Sequence, residues 1–188
     1  MAPGSLIEVV VEVSAYLENL GIPHMVIGGI ATMNWGEPRA TLDVDLSVLV
    51  SEAELSMFVQ SLPSNLVSRA PQPVLEFIRR TRVLPLRHDS GVDVDLVFAV
   101  LPFEEEALER AIEVPIEGTF VRVASAEDLV LMKIFSERSK DRGDVESVLS
   151  RRWHELDHAY LEPRVIELSH LMEDPSILDR YRGGRPES

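Results

Sequence analysis

Apolar residues recur with the 3.6-residue period of a helix at Leu6, Val9, Val10, Val13, Tyr16, Leu17 and Leu20, and Gly21 and Pro23 stop the stripe. The run HMVIGG (24–29) predicts a short buried strand ending at Gly28-Gly29, followed by a helix through IATMNW and a loop, GEPRAT. Period two takes over in LDVDLSVLV (42–50), which reads as a strand. Ser51 and Glu54 predict a capping box opening a helix to about Leu62, with Pro63 behind it. A short strand near Val67 and a helical turn from Val74 come next. RVLPLRH and VDVDLVFAV form a hairpin around DSG, and Pro102 opens the helix after it. IEVPI and FVRVA pair around EG, Ser125 and Asp128 cap the helix AEDLVLMKIFSER, and the chain from 139 is helical down to a frayed tail, RGGRPES. The expected fold class is α+β: a small mixed β-sheet flanked by helices, with a helical C-terminal region. Residues 1–124 form the core domain and 125–188 a helical subdomain packed on it.

Composition narrows the functional classes. With 188 residues, 45% hydrophobic and 27% charged, the chain suits one good-sized core. No run of about 18 apolar residues exists, so no membrane partner is expected. The start, MAPGSLIEVVVEV, lacks the basic segment of a secretory leader, and there is no cysteine; both point to a cytoplasmic protein. A net charge of −14 argues against a broad basic surface for gripping nucleic acid. Positive charge gathers only in FIRRTR (77–82), RSKDR (138–142) and SRR (150–152). A cluster of acidic side chains, by contrast, favours divalent cations.

The candidate chemistry lies in the strand at 42–50. Side chains two apart on a strand leave the same face, so Asp43 and Asp45 point one way while Val44 and Leu46 face the core. Two close carboxylates repel unless a cation lies between them, and hard divalent ions such as Mg²⁺ (or Mn²⁺) take oxygen ligands while keeping positions open for phosphates. VDVDLVF repeats the pattern with Asp93 and Asp95. Set beside the first strand, it would supply a third carboxylate. Asp95 is preferred, because an apolar strand continues after it whereas Asp93 lies nearer the turn and more solvent; whether Asp93 assists stays open. Three such groups can hold two ions about 3.5–4 Å apart, as in-line phosphoryl or nucleotidyl transfer requires. Gly28-Gly29, between a strand and a helix, would let a phosphate approach bare backbone N–H groups.

Ile27-Gly28-Gly29, thirteen residues, then Asp43-Val44-Asp45-Leu46 resembles the signature of the DNA polymerase β-like nucleotidyltransferase superfamily. The fuller run GGIATMNWGEPRATLDVDL resembles its AbiEii-type toxin branch, which also carries a late lysine and Arg-x-Lys-Asp; here these match Lys133 and Arg138-Ser139-Lys140-Asp141, with Asp144 beyond. The resemblance spans residues 20–150. It implies metal ligation by Asp43, Asp45 and Asp95 with two ions, Gly28 and Gly29 against an NTP such as ATP, and phosphate contacts from Arg39 and Lys133. It implies transfer of a nucleoside monophosphate to a hydroxyl with release of pyrophosphate. The acceptor it implies is a tRNA end, in a toxin partnered by an antitoxin protein. A small-molecule acceptor of the aminoglycoside type, and a non-catalytic nucleotide- or partner-binding member, are the alternatives.

Several residues have plainer readings. Thr41 either reaches the nucleotide or simply favours the strand. Lys133 shares a helical face with Leu129 and has the reach to snorkel from the core edge. Asp144 is expected to pair with Arg138 or Lys140. His154 and His158 lack a third ligand for a metal, and Met33 and Trp35 read as core of a short helix.

Overall fold

A computed structural model describes residues 5–185. The chain divides into two compact units: one takes the chain to Ile30 together with Ala40–Ala124, the other Ala31–Arg39 together with the chain from Ser125 on.

The first unit holds the whole sheet. Helix α1 (Leu6–Asn19) is opened by a capping box, in which Ser5 N donates to Glu8 Oε2 at 2.6 Å and Glu8 N donates to Ser5 Oγ at 3.1 Å. Its stripe buries Val9, Val10, Val13 and Leu17 against the sheet. The strands are β1 (His24–Val26), β2 (Asp43–Val48), β3 (Leu66–Ser68), β4 (Val83–His88), β5 (Asp93–Phe98), β6 (Ile112–Ile116) and β7 (Thr119–Val123), in the order β3-β4-β5-β2-β1-β7-β6. β2 runs parallel to β5 and β1 parallel to β7; the remaining neighbours are antiparallel. Val44, Leu46, Val94 and Leu96 are fully buried on the core face of β2 and β5. Each contributes about 1.5–3 kcal/mol by leaving water. Helices α3 (Leu55–Ser61), α4 (Val74–Thr81) and α5 (Pro102–Arg110) complete the unit.

Helix α2 (Gly28–Trp35) starts in the first unit and continues into the second. The glycine pair therefore belongs to the first turn of α2 and not to the end of β1, which stops at Val26. The second unit is built from α6 (Ala126–Lys133), α7 (Ser139–Arg152), a 3₁₀ turn (Trp153–Glu155), α8 (His158–Leu171) and α9 (Ser176–Gly183). α6 packs on α7 and α8, and α8 on α9. α6 ends at Lys133, short of the expected Arg138, because Ser136 and Arg138 turn their side chains to Asp141 in the next helix. Of the expected box at α3, half forms: Glu54 accepts from Ser51 N and Oγ, but its own N–H donates to the Ser51 carbonyl, and the helix begins at Leu55, three residues later than a box on Ser51 would start it. α9 reaches Gly183, so the start of the expected tail is helical, while 186–188 lie outside the described residues. Met33 and Trp35 are half-buried and not core, with the Arg152 guanidinium 5.9 Å from the Trp35 ring centre. His158 is committed to structure: Nε2 lies 2.7 Å from the Trp153 carbonyl, and Nδ1 accepts from the Tyr181 hydroxyl at 2.6 Å.

Candidate active site

Register places the carboxylates. In the parallel β2–β5 pair Asp43 lies opposite Asp93 and Asp45 opposite Asp95, so all four leave one face of the sheet. The antiparallel β4–β5 pair extends both rows, with Arg87 opposite Asp93 and Pro85 opposite Asp95. Like charges directly opposite each other destabilise a sheet, and here two such pairs stand side by side.

The two rows are compensated unequally. Arg87 puts Nε 2.5 Å from Asp93 Oδ1 and donates from Nη2 to Oδ2 at 3.2 Å. Its Nε–H is not aimed well enough at Oδ1 to count as a hydrogen bond, but at that separation the ion pair stands. Pro85 offers Asp95 no charge. The cation on that row comes from Arg69, just past β3, whose backbone N–H donates to the Pro85 carbonyl at 2.8 Å. Its guanidinium lies 3.2 Å from Asp93 Oδ2 but 3.7 Å from Asp95 Oδ1. Asp95 Oδ1 is buried and has no hydrogen-bond partner. Burial pushes the Asp95 carboxyl above its ordinary value; Arg69 opposes this, and the Asp43 and Asp93 charges add to it. The expected difference in exposure between the two is absent, since the Asp93 side chain is 32% exposed and that of Asp95 36%. What separates them is pairing: Asp93 is held by two arginines, Asp95 loosely by one.

Gly28 abuts the other end of the Asp45 row. It has φ +63°, and a Cβ there would lie 1.9 Å from Asp45 Oδ2. The carboxylate occupies the space that any side chain would fill. Ile27 N donates to the Asp45 carbonyl at 2.9 Å, which ties this turn to β2, and Gly29 follows, buried, as the second residue of α2. Thr41 Oγ1 donates to Asp43 Oδ1 at 2.6 Å, so the hydroxyl orients that carboxylate. Among the described residues no group of three His, Cys, Asp or Glu side chains is closed up as a cage for a metal ion. The donor set nonetheless suits a hard divalent cation: three aspartates share a face, one carries an orphaned buried oxygen, and one is cradled on bare backbone.

Arg39 and Lys133 belong to the second unit, where both are held by carboxylates of α7. Arg39 grips Asp144 with two prongs, Nε to Oδ1 at 2.6 Å and Nη2 to Oδ2 at 2.9 Å. Lys133 Nζ donates to Asp144 Oδ2 at 2.6 Å and to Asp141 Oδ1 at 3.0 Å. Arg138 pairs with Asp141, so the expected pairing of Asp144 with Arg138 or Lys140 is replaced by Arg39 and Lys133. Burial pushes both carboxyls up. For Asp141 the contacts of Ser136, Lys133 and Arg138 outweigh it, for Asp144 those of Arg39 and Lys133, and both are held below the usual range.

The mixed sheet with its flanking helices is shared with solved structures of nucleotidyltransferase-like proteins. An antigenic nucleotidyltransferase-like protein from Paracoccidioides brasiliensis matches at 22% identity over 94% of this chain and 92% of its own, with a TM-score of 0.56. The lincomycin-bound lincosamide antibiotic adenylyltransferase LnuA matches at 12% identity, 75% and 94% coverage and a TM-score of 0.52. ANT(2″)-Ia in complex with adenylyl-2″-tobramycin matches at 15%, 84% and 93%, also with a TM-score of 0.52. These likenesses concern the fold. Over residues 4–182 the chain matches the family described as nucleotidyltransferase of unknown function (DUF6036), and it belongs to that family. A comparison with curated proteins finds no match.

Proposed function

We propose that this protein is a metal-dependent nucleotidyltransferase that moves a nucleoside monophosphate from an NTP to a hydroxyl group of a small, cationic acceptor. The observation that carries the reading is the β2–β5 register, which aligns Asp45 with Asp95 and Asp43 with Asp93 on one face beside Gly28. Asp43, Asp45 and Asp95 are the residues that would hold Mg²⁺ or Mn²⁺, two ions in all. Bound there, the metal would neutralise triphosphate charge and ease deprotonation of the acceptor hydroxyl.

This chain's own groups supply the rest. Thr41 fixes the rotamer of Asp43, and the absence of a side chain at Gly28 lets Asp45 sit against the backbone of the turn. In the transfer the acceptor oxygen forms a bond to the α-phosphorus, the bond to pyrophosphate breaks, and the hydroxyl proton is lost to water. Arg39 and Lys133 already have carboxylate partners, so a phosphate role for them requires exchange of those partners.

For the acceptor, the net charge of −14 favours a cation over RNA. The shared fold of LnuA, seen with lincomycin, and of ANT(2″)-Ia, seen with adenylyl-2″-tobramycin, supports the same choice. A tRNA acceptor in a toxin–antitoxin pair is the competing reading from the motif resemblance. Incubation with each labelled NTP and Mg²⁺, in separate arms with aminoglycosides, lincosamides and total tRNA, decides between them. Label is expected on a small amine-bearing acceptor and is abolished by Asp43→Ala. Labelled tRNA would move the protein to the toxin reading, and bound NTP without transfer in any arm would leave a nucleotide-binding protein.

A further inference from the structure

We propose that Arg69 is the resident counter-ion of the carboxylate face, that a divalent ion and the Arg69 guanidinium exclude one another at Asp95, and that Arg69 thereby sets the metal affinity of the site. The inference rests on the reading of Asp43, Asp45 and Asp95 as metal ligands.

Four observations carry it. Arg69 approaches along the row that ends on Asp95, since its backbone pairs with Pro85 and Pro85 lies opposite Asp95. A residue with a cationic side chain in place of Pro85 would hold Asp95 as firmly as Arg87 holds Asp93; proline leaves that position open, and Arg69 reaches over it from the next strand. The guanidinium bridges the two rows, 3.2 Å from Asp93 and 3.7 Å from Asp95, a long and one-sided ion pair at its second end. Asp95 Oδ1 meanwhile has no hydrogen-bond donor, so the contact is electrostatic attraction without the alignment that would make it hard to displace. The Arg69 side chain is also 38% exposed, so water can take up the guanidinium once it parts from Asp95.

Mutual exclusion follows from charge and space. A divalent ion on Asp95 Oδ1 would stand within a few ångströms of the guanidinium, and like charges at that separation repel even when half in water. Binding of the ion therefore includes the work of parting Arg69 from Asp95, and the affinity is lower than three bare carboxylates would give. Asp93, already paired with Arg87 and 3.2 Å from the Arg69 guanidinium, is the residue onto which Arg69 can retire. Arg69 acts through Asp95, and its role is positioning.

The test is calorimetric titration of Mg²⁺ and of Mn²⁺ into the nucleotide-free full chain, as wild type, Arg69→Gln, Arg69→Lys, Arg87→Gln and Asp95→Asn, with the Arg69→Gln/Asp95→Asn double variant. Arg69→Gln is expected to tighten ion binding on the order of three- to tenfold. Arg69→Lys, which keeps the charge but cannot bridge two carboxylates, falls between. Arg87→Gln changes affinity less, because its charge is spent on Asp93. In the Asp95→Asn background the Arg69 substitution has no further effect. Unchanged or weaker binding by Arg69→Gln, with wild type binding normally, overturns the proposal, as does an equal effect of Arg87→Gln. Should Arg69→Gln fail to fold, the lysine variant decides: affinity no tighter than wild type overturns the inference. Absence of ion binding in wild type and every variant would instead sink the metal site itself, and the inference with it.

Discussion

A methyl group on Gly28 would lie 1.9 Å from Asp45 Oδ2, and φ there is +63°. Any side chain must therefore either move a carboxylate that lines the site or reshape the turn into α2. Gly28→Ala is expected to destabilise the protein by about 1–3 kcal/mol through its left-handed backbone. It is expected to cut transfer by on the order of a hundredfold, because the displaced Asp45 loses its alignment. Urea unfolding and pyrophosphate release measure the two effects, and a variant with wild-type turnover would show that Asp45 need not sit on the glycine. The alternation around Asp43, Asp45, Asp93 and Asp95 was open to reading from the chain because period two is a local property. The arginines were not. Arg69 reaches Asp95 only because β3 is the edge strand beside β4, and no spacing in the chain announces that neighbour. Arg87 was within reach of inference, since a hairpin around DSG with the right register sets it opposite Asp93.

At the scale of the element, α7 shows how tertiary pairing overrides local spacing. Asp144 lies near Arg138 and Lys140 in sequence, yet its partners are Lys133 of α6 and Arg39, 105 residues away. Asp144 faces inward and its side chain is 3% exposed, so it takes the cations that face it from other parts of the unit, while Arg138, 82% exposed, serves Asp141. Both carboxyls titrate below their ordinary value, which fixes the sign of the pH effect. Their contribution is fully present above the unfolded-state value of about 3.9 and is lost as pH falls from there through the folded-state value. Asp144→Asn, which leaves Arg39 and Lys133 without their shared partner, is expected to cost about 2–4 kcal/mol at pH 7. In urea unfolding the gap between wild type and variant should narrow progressively as pH falls below the ordinary aspartate value of about 3.9. A gap that persists undiminished there would assign the loss to packing. Helix ends were the least legible elements: α6 stops at Lys133 because Ser136 and Arg138 serve Asp141, a demand made by the following helix.

Across the whole molecule, an excess of fourteen negative charges sets the kind of solute that approaches readily. Cationic solutes are drawn in and polyanions turned away by a field of that sign, and both effects fade with salt. Binding of a fluorescent aminoglycoside is expected to weaken several-fold between about 50 and 500 mM salt, the range over which the screening length drops below 10 Å. Salt-independent binding, or RNA binding of comparable strength, would point to a local basic surface in place of the global field. Fold class was legible from the order of patterns along the chain, while the parallel joining of β2 to β5 depends on a crossover through α3, β3, α4 and β4 that the patterns alone leave undetermined.

That joining has a consequence for how the sheet avoids mistakes. Were β2 to slip by one residue, Asp43 and Asp45 would turn toward the layer now filled by Val44 and Leu46, and two carboxylates would enter the apolar interior without partners. The penalty is several kcal/mol for each buried ion. A strand of valine and leucine alone would tolerate neighbouring alignments far better. The aspartates thus discriminate among the alignments open to β2 before any solute arrives, and the same two residues proposed to hold a metal ion also tell the chain which way that central strand must face.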